Sequence, residues 1–161
     1  NVDPEKNIVA ALEILRGQVS IEALSIFYRT AAIGRPEQPD YLNGVAKIRT
    51  PLEPVALKTT VLRPIEAQLG RQKTADRYAA RCIDLDILLW GEAILDNEEQ
   101  TIPDPDITER PFLGAGLLDL DPDIVLPGDT QPMKTYFSRE TLAALKVDRD
   151  FPQRLKEQFT P

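Results

Sequence analysis

Arg81-Cys82-Ile83-Asp84-Leu85-Asp86-Ile87-Leu88-Leu89-Trp90 is the stretch on which the reading of this chain turns. Its apolar residues alternate with others, which predicts a strand over Cys82–Trp90. Ile83, Leu85, Ile87 and Leu89 then face the core. Asp84 and Asp86 lie side by side on the opposite face, with Leu88 and Trp90 beyond them. Two carboxylates that close repel one another unless a cation lies near. Magnesium suits such a pair, because it takes one or two carboxylates and completes its shell with water and phosphate oxygens. Taken alone, the pair reads more simply as a half-exposed strand with an acidic outer face.

The residues leading into this strand change the balance. Arg63, Arg71, Lys73, Arg77 and Arg81 stand against only Glu66 and Asp76 in the same stretch. Arginine grips phosphate oxygens with a planar fork, and lysine adds a point charge. Carboxylates for a metal and guanidiniums for phosphates are the parts that ATP-dependent phosphoryl or pyrophosphoryl transfer needs. On the Tyr41–Arg49 stretch, Tyr41 and Asn43 share a face. They offer a stacking ring and a mixed donor–acceptor amide, which suits a flat heteroaromatic ligand. A cross-strand tyrosine beside a turn-forming asparagine is the plainer alternative.

The 161 residues fit a single domain, 1–161, with one core. A net charge of −7 argues against general nucleic-acid binding. The basic stretch within an acidic chain points to a small anionic ligand. There is no histidine, which removes Ser-His-Asp triads and imidazole-ligated metals. The one cysteine, Cys82, permits neither an intrachain disulfide nor a multi-cysteine zinc site. Any metal must therefore sit on oxygen ligands. No P-loop or G-x-G-x-x-G turn occurs. No apolar run approaches membrane-spanning length, and the polar start does not read as a signal peptide. A cytoplasmic protein is expected.

The first helix is predicted from Pro4 to about Arg16, with Asp3 as N-cap and Gly17 ending it. A strand over Leu24–Arg29, a loop over 30–40 and a strand from Tyr41 to about Arg49 follow. A second helix starts near Pro54, is kinked by Pro64 and ends at Gly70. After the basic loop 71–80 and the acidic strand come a turn and strand within Ala93–Ile102. A helix is then expected over Thr108–Leu118, with short ones near 138–145 and 152–158. This order reads as α+β.

The run Arg77-Tyr78-Ala79-Ala80-Arg81-Cys82-Ile83-Asp84-Leu85-Asp86-Ile87-Leu88 resembles the signature of the 6-hydroxymethyl-7,8-dihydropterin pyrophosphokinases of folate biosynthesis. Other pieces follow that family's order: Phe27-Tyr28-Arg29-Thr30, Gln38-Pro39-Asp40-Tyr41-Leu42-Asn43, Ile65-Glu66, Leu69-Gly70-Arg71, Ile102-Pro103 and Arg110-Pro111-Phe112. The similarity runs from Asn1 to about Pro127, leaving 128–161 as a C-terminal tail of unassigned role.

The resemblance implies a ferredoxin-like sandwich, mainly antiparallel sheet with helices packed on it. It implies transfer of pyrophosphate from ATP to the pterin hydroxymethyl group, with release of AMP. Arg71, Arg81, Asp84 and Asp86 would be catalytic, and Asp84 and Asp86 would hold two Mg2+ ions. Glu66, Arg71, Lys73, Arg81 and Arg110 would face ATP. Thr30, Ile33, Tyr41, Asn43, Tyr78 and Phe112 would face the pterin, with Tyr41 and Phe112 sandwiching its ring. A monomer is expected, with a dimer as the alternative, and neither nucleic acid nor membrane as partner.

The chain departs from the family in several places. Asp104 stands where histidine is usual, Lys73 for arginine, Tyr78 for tryptophan, and Ala32 and Gly116 where prolines are common. Pro64 inside the second helix is atypical. The family also begins with a strand and a Gly-Ser-Asn turn, whose asparagine Asn1 resembles, so a first strand is expected to be missing ahead of Asn1. A homologue that keeps the fold without turnover is the alternative reading, and Asp104 favours it. An unrelated ferredoxin-like interaction module would leave Tyr41, Asn43 and Phe112 unexplained.

Overall fold

Ser25-Ile26 and, opposite them, Gly44-Val45 divide what the sequence reads as two strands into four. The computed structural model describes residues 1–32, 35–71 and 79–160. Helix α1 spans Pro4–Leu15. Strand β1 (Ser20–Leu24) pairs antiparallel with β4 (Ala46–Arg49), and β2 (Phe27–Thr30) with β3 (Tyr41–Asn43). One long hairpin results, interrupted midway. The interruption corrects the expected single strands Leu24–Arg29 and Tyr41–Arg49, and its cause is side-chain competition for backbone groups. The Ser25 hydroxyl accepts the Val45 amide at 2.8 Å and donates to the Ile26 carbonyl at 2.7 Å. The Ile26 amide instead donates to the Asp119 carboxylate at 2.8 Å.

Two glycines let other elements close on this break. A Cβ on Gly44 would lie 2.6 Å from the Phe27 ring, and one on Gly116 would lie 2.7 Å from Val45. Gly116 belongs to helix α5 (Pro111–Leu120), so its lack of a side chain brings that helix onto the hairpin.

The second helix is continuous but not uniform. Helix α2 (Pro54–Leu57) passes through a π turn (Lys58–Leu62) into α3 (Arg63–Gln68). Pro64 explains the widening, since it has no amide to donate and its ring crowds the carbonyl four residues back. The Arg63 amide reaches the Lys58 carbonyl, five residues back. The expected kink is thus absorbed as a π turn.

Among the described residues the acidic stretch 82–90 joins no ladder. This corrects the strand expected there, because alternation fixes which side chains are covered and says nothing about backbone pairing. Burial follows the predicted alternation through Ile87, then breaks. Ile83, Leu85, Ile87 and Trp90 pack with the main core of α1, β1, α3 and the C-terminal helix, whereas Leu88 and Leu89 pack with a second cluster around Val45, Ile107, Leu117 and Met133. The stretch crosses from one core to the other, so no single inward face persists.

Beyond it, the expected strand within Ala93–Ile102 is a two-stranded hairpin, β5 (Leu95–Asp96) with β6 (Thr101–Ile102). The expected Thr108–Leu118 helix is two, α4 (Asp106–Glu109) and α5 (Pro111–Leu120). The fold is α+β with three small antiparallel sheets among the described residues.

The tail has a structural role that the sequence does not announce. After a 3-10 turn (Met133–Thr135) and α6 (Arg139–Ala143), strand β7 (Lys146–Asp148) pairs with the outer edge of β2, giving the order β3-β2-β7. Covering an edge strand removes an open template for pairing with other chains. Helix α7 (Asp150–Phe159) then buries Phe151, Leu155 and Phe159 in the main core, and Phe151 meets Phe27 edge to face at 5.5 Å. Arg29 bonds Asp148 at 2.7 Å and Glu5 at 3.2 Å, and Arg154 bonds Glu5 at 3.0 Å. These pairs tie tail, sheet and α1 together.

Phe151→Ala should cost about 3–5 kcal/mol of unfolding free energy, read by denaturant titration. Burial pushes the Asp148 carboxyl up, but the Phe151 amide and Arg29 outweigh it and hold the group below the usual aspartate range. Its stabilising contribution is therefore present above the unfolded-state pKa and lost as pH falls through the lower folded one. Asp148→Asn should flatten that acid limb in thermal unfolding followed against pH.

Candidate active site

Gly70 closes the second helix in the left-handed conformation (φ 90°), which only glycine adopts without cost. The Gly70 amide bonds the Ala67 carbonyl at 3.0 Å and the Arg71 amide bonds the Glu66 carbonyl at 2.9 Å. This is the Schellman pattern, and it folds Arg71 back over Glu66. The Arg71 guanidinium donates to the Glu66 carboxylate and to Asp84 at once. Glu66 is buried and also accepts the Leu85 amide at 2.7 Å. Helix end, arginine and acidic stretch are thus joined through one carboxylate.

Arg81 approaches Asp84 from the other side, Nη1 to Oδ2 at 2.7 Å. Its backbone is fixed from the start of the chain. The Arg81 amide donates to Asn1 Oδ1 at 3.1 Å, the Val2 amide to the Arg81 carbonyl at 3.3 Å, and Asn1 Nδ2 to Gln38 Oε1 at 2.9 Å. Asn1 and Gln38 thereby link the 35–40 segment to the arginine.

Asp86 stands apart from the guanidiniums. Among the described residues its ion-pair partner is Lys58 of the π turn, Nζ to Oδ1 at 3.5 Å. Loss of surrounding water first, although the side chain stays half exposed, and then the negative charge of Asp84 push the Asp86 carboxyl above the usual range, with Asp104 adding to the effect. Asp104 is itself pushed up by burial, although its carboxylate accepts the Asp106 amide at 2.9 Å. The Asp104 amide bonds the Leu88 carbonyl at 2.9 Å, which seats this acid beside the stretch that carries Asp86. Burial likewise raises Glu66, against the pull of the Leu85 amide and Arg71.

The structure therefore brings Glu66, Arg71, Arg81 and Asp84 into one hydrogen-bonded group, with Asp86 coupled to it through charge. Arg110 pairs with Asp106 at 2.8 Å and acts electrostatically on Asp104. On the hairpin, Asn43 Nδ2 donates to Thr30 Oγ1 at 2.8 Å, and Tyr41 stands opposite Thr30 in the β2–β3 register. Phe112 is half-buried at the start of α5. Ile33, Lys73 and Tyr78 lie outside the described residues. Sequence reading missed Lys58, whose aim depends on the π turn, and Gln38, whose partner is remote in sequence.

No group of three or more potential metal-ligating side chains lies together among the described residues. Magnesium needs only one or two carboxylates, with phosphate oxygens supplying the remainder. Asp84 and, more weakly, Asp104 act on Asp86, and a divalent cation at the Asp84–Asp86 pair would neutralise that negative charge. The donor set fits the ion. Paired carboxylates fronted by guanidinium groups suit an enzyme that moves phosphoryl groups with help from such a cation.

Comparison with known proteins makes that class specific. Residues 1–122 match the family 7,8-dihydro-6-hydroxymethylpterin-pyrophosphokinase. The chain is 39% identical over 126 residues to the 2-amino-4-hydroxy-6-hydroxymethyldihydropteridine pyrophosphokinase of Haemophilus influenzae, covering 77% of this chain and 78% of that protein. It is 36% identical over 127 residues to the protein of the same name from Pseudomonas aeruginosa, covering 78% and 77%. With the folic acid synthesis protein fol1 of Schizosaccharomyces pombe it shares 37% identity over 154 residues, 94% of this chain but 21% of that longer protein. The chain belongs to the 7,8-dihydro-6-hydroxymethylpterin-pyrophosphokinase family.

Glu66→Ala would leave the Leu85 amide without its acceptor and Arg71 with one partner fewer. The expected loss is about 1–3 kcal/mol of unfolding free energy, with Glu66→Gln losing less because its amide oxygen still accepts from Leu85.

Proposed function

We propose that this chain transfers the pyrophosphoryl group of ATP to 6-hydroxymethyl-7,8-dihydropterin, giving AMP and the pterin pyrophosphate, as a step in folate biosynthesis. The observation that carries this reading is the family match over 1–122 together with the Asp84–Arg71–Arg81 cluster beside Asp86. In the reaction the pterin hydroxymethyl oxygen bonds to the β-phosphorus of ATP. The bond from that phosphorus to the bridging oxygen of the α-phosphate breaks, and the hydroxyl proton is lost.

Arg71 and Arg81 are already gathered on Asp84, where they are poised to take phosphate oxygens as charge builds on them. Lys73 and Arg110 would add charge on the nucleotide side. Asp84 and Asp86 would hold magnesium, two ions by analogy with the family, which when bound lowers the repulsion between phosphates and nucleophile. Glu66 serves this site from behind, by fixing Arg71 and the backbone at Leu85. Thr30, Ile33, Tyr41, Asn43, Tyr78 and Phe112 would form the pterin side, with Thr30 and Asn43 preset by their mutual hydrogen bond. Holding both substrates in line is the main contribution such a site can make.

A ferredoxin-like arrangement of the α+β elements, a cytoplasmic location and action as a monomer belong to the same proposal. Asp104 favours the second reading, a homologue without turnover, because it adds negative charge near the nucleotide.

The deciding assay is AMP release from ATP, magnesium and 6-hydroxymethyl-7,8-dihydropterin. The folded protein should produce AMP, and Asp84→Ala or Asp86→Ala should lower kcat by at least about a hundred-fold. Absence of AMP from folded protein would favour the non-catalytic homologue. Phe112→Ala should weaken pterin binding well beyond ATP binding in calorimetry, and equal losses would contradict the ring sandwich.

A further inference from the structure

Lys58 is an unusual lysine. Its side chain is only 20% exposed, and the cation of so covered a residue needs a partner. The one carboxylate within ion-pair distance among the described residues is Asp86, at 3.5 Å. Its charge also acts on Asp104, the acid held beside Leu88. The two acids raise local negative charge together with Asp84, while Arg71 acts on Asp86 only weakly, being engaged by Glu66 and Asp84. Arg110, the other cation acting on Asp104, is paired with Asp106. Among the described residues, Lys58 is therefore the cation that pairs with Asp86 and acts more weakly on Asp104. The π turn, itself a consequence of Pro64, is the element that presents it.

We propose that Lys58 is a positioning residue, whose ammonium neutralises Asp86 and Asp104 together and sets how strongly the nucleotide-free site holds a divalent cation. The inference rests on the reading of Asp84 and Asp86 as metal-holding carboxylates. An ammonium at Asp86 opposes a second cation there by repulsion, and Asp104 offsets that repulsion. Lys58 and Asp104 act as a charge-balanced pair, so removing either alone shifts metal affinity and removing both restores it. A residue that merely supported the fold would lower affinity in every variant.

The experiment titrates Mn2+ into nucleotide-free protein and follows the unbound ion by electron paramagnetic resonance. Lys58→Met should bind Mn2+ roughly ten-fold more tightly, and Asp104→Asn several-fold more weakly. The double variant should return close to the parent protein, as should Lys58→Arg, which keeps the charge. Weaker or unchanged Mn2+ binding by Lys58→Met, or a double variant as displaced as either single one, would overturn the proposal. Should Lys58→Met not fold, Lys58→Arg and Asp104→Asn carry the same test, and an unchanged Asp104→Asn would contradict it. AMP release by the parent protein reports separately on the pyrophosphokinase reading, because the Mn2+ titration needs no turnover.

Discussion

The buried carboxylate of Glu66 is the constraint on which the site depends. It accepts the Leu85 amide from the acidic stretch and the guanidinium of Arg71 from the helix end. A half-satisfied acid in that position would be costly, so both bonds are needed for burial to be tolerable. Through Arg71 the same carboxylate reaches Asp84, and through Leu85 it fixes the backbone between Asp84 and Asp86. The stretch 82–90 lacks ladder partners among the described residues, so side-chain bonds of this kind do for it what a sheet does for an ordinary strand.

This arrangement connects stability to chemistry. Gly70 ends the helix so that Arg71 folds back, Pro64 widens it so that Lys58 meets Asp86, and Asn1 holds the backbone of Arg81. Each local feature aims one charge at a small region. Among the described residues, Lys58, Arg71 and Arg81 are interleaved with Glu66, Asp84, Asp86 and Asp104. Such a site is suited to receiving a polyanion and a divalent ion, because each can displace or join an existing pair without leaving a charge bare.

Much of this is readable in the sequence. The alternation from Ile83 to Ile87 correctly separates covered residues from exposed ones, since both depend on the same two-residue period. Arg71 and Arg81 are identifiable by their nearness in sequence to the acidic pair. Where reading fails, long-range partners decide the matter. Leu88 to Trp90 depart from alternation because the core beneath them changes. Ser25 and Asp119 break the strands through bonds that no local propensity encodes. The pairing of β7 with β2 joins residues far apart in the chain, so the tail's place in the core carries no local signal.

Transfer of the pyrophosphoryl group places the β-phosphorus of ATP on the pterin. The most direct measurement uses ATP labelled at its β-phosphorus, with separation of pterin and nucleotide products. The label should appear in the pterin pyrophosphate, in step with unlabelled AMP. Label found in ADP alongside a pterin monophosphate, or in free pyrophosphate with the pterin unchanged, would contradict it.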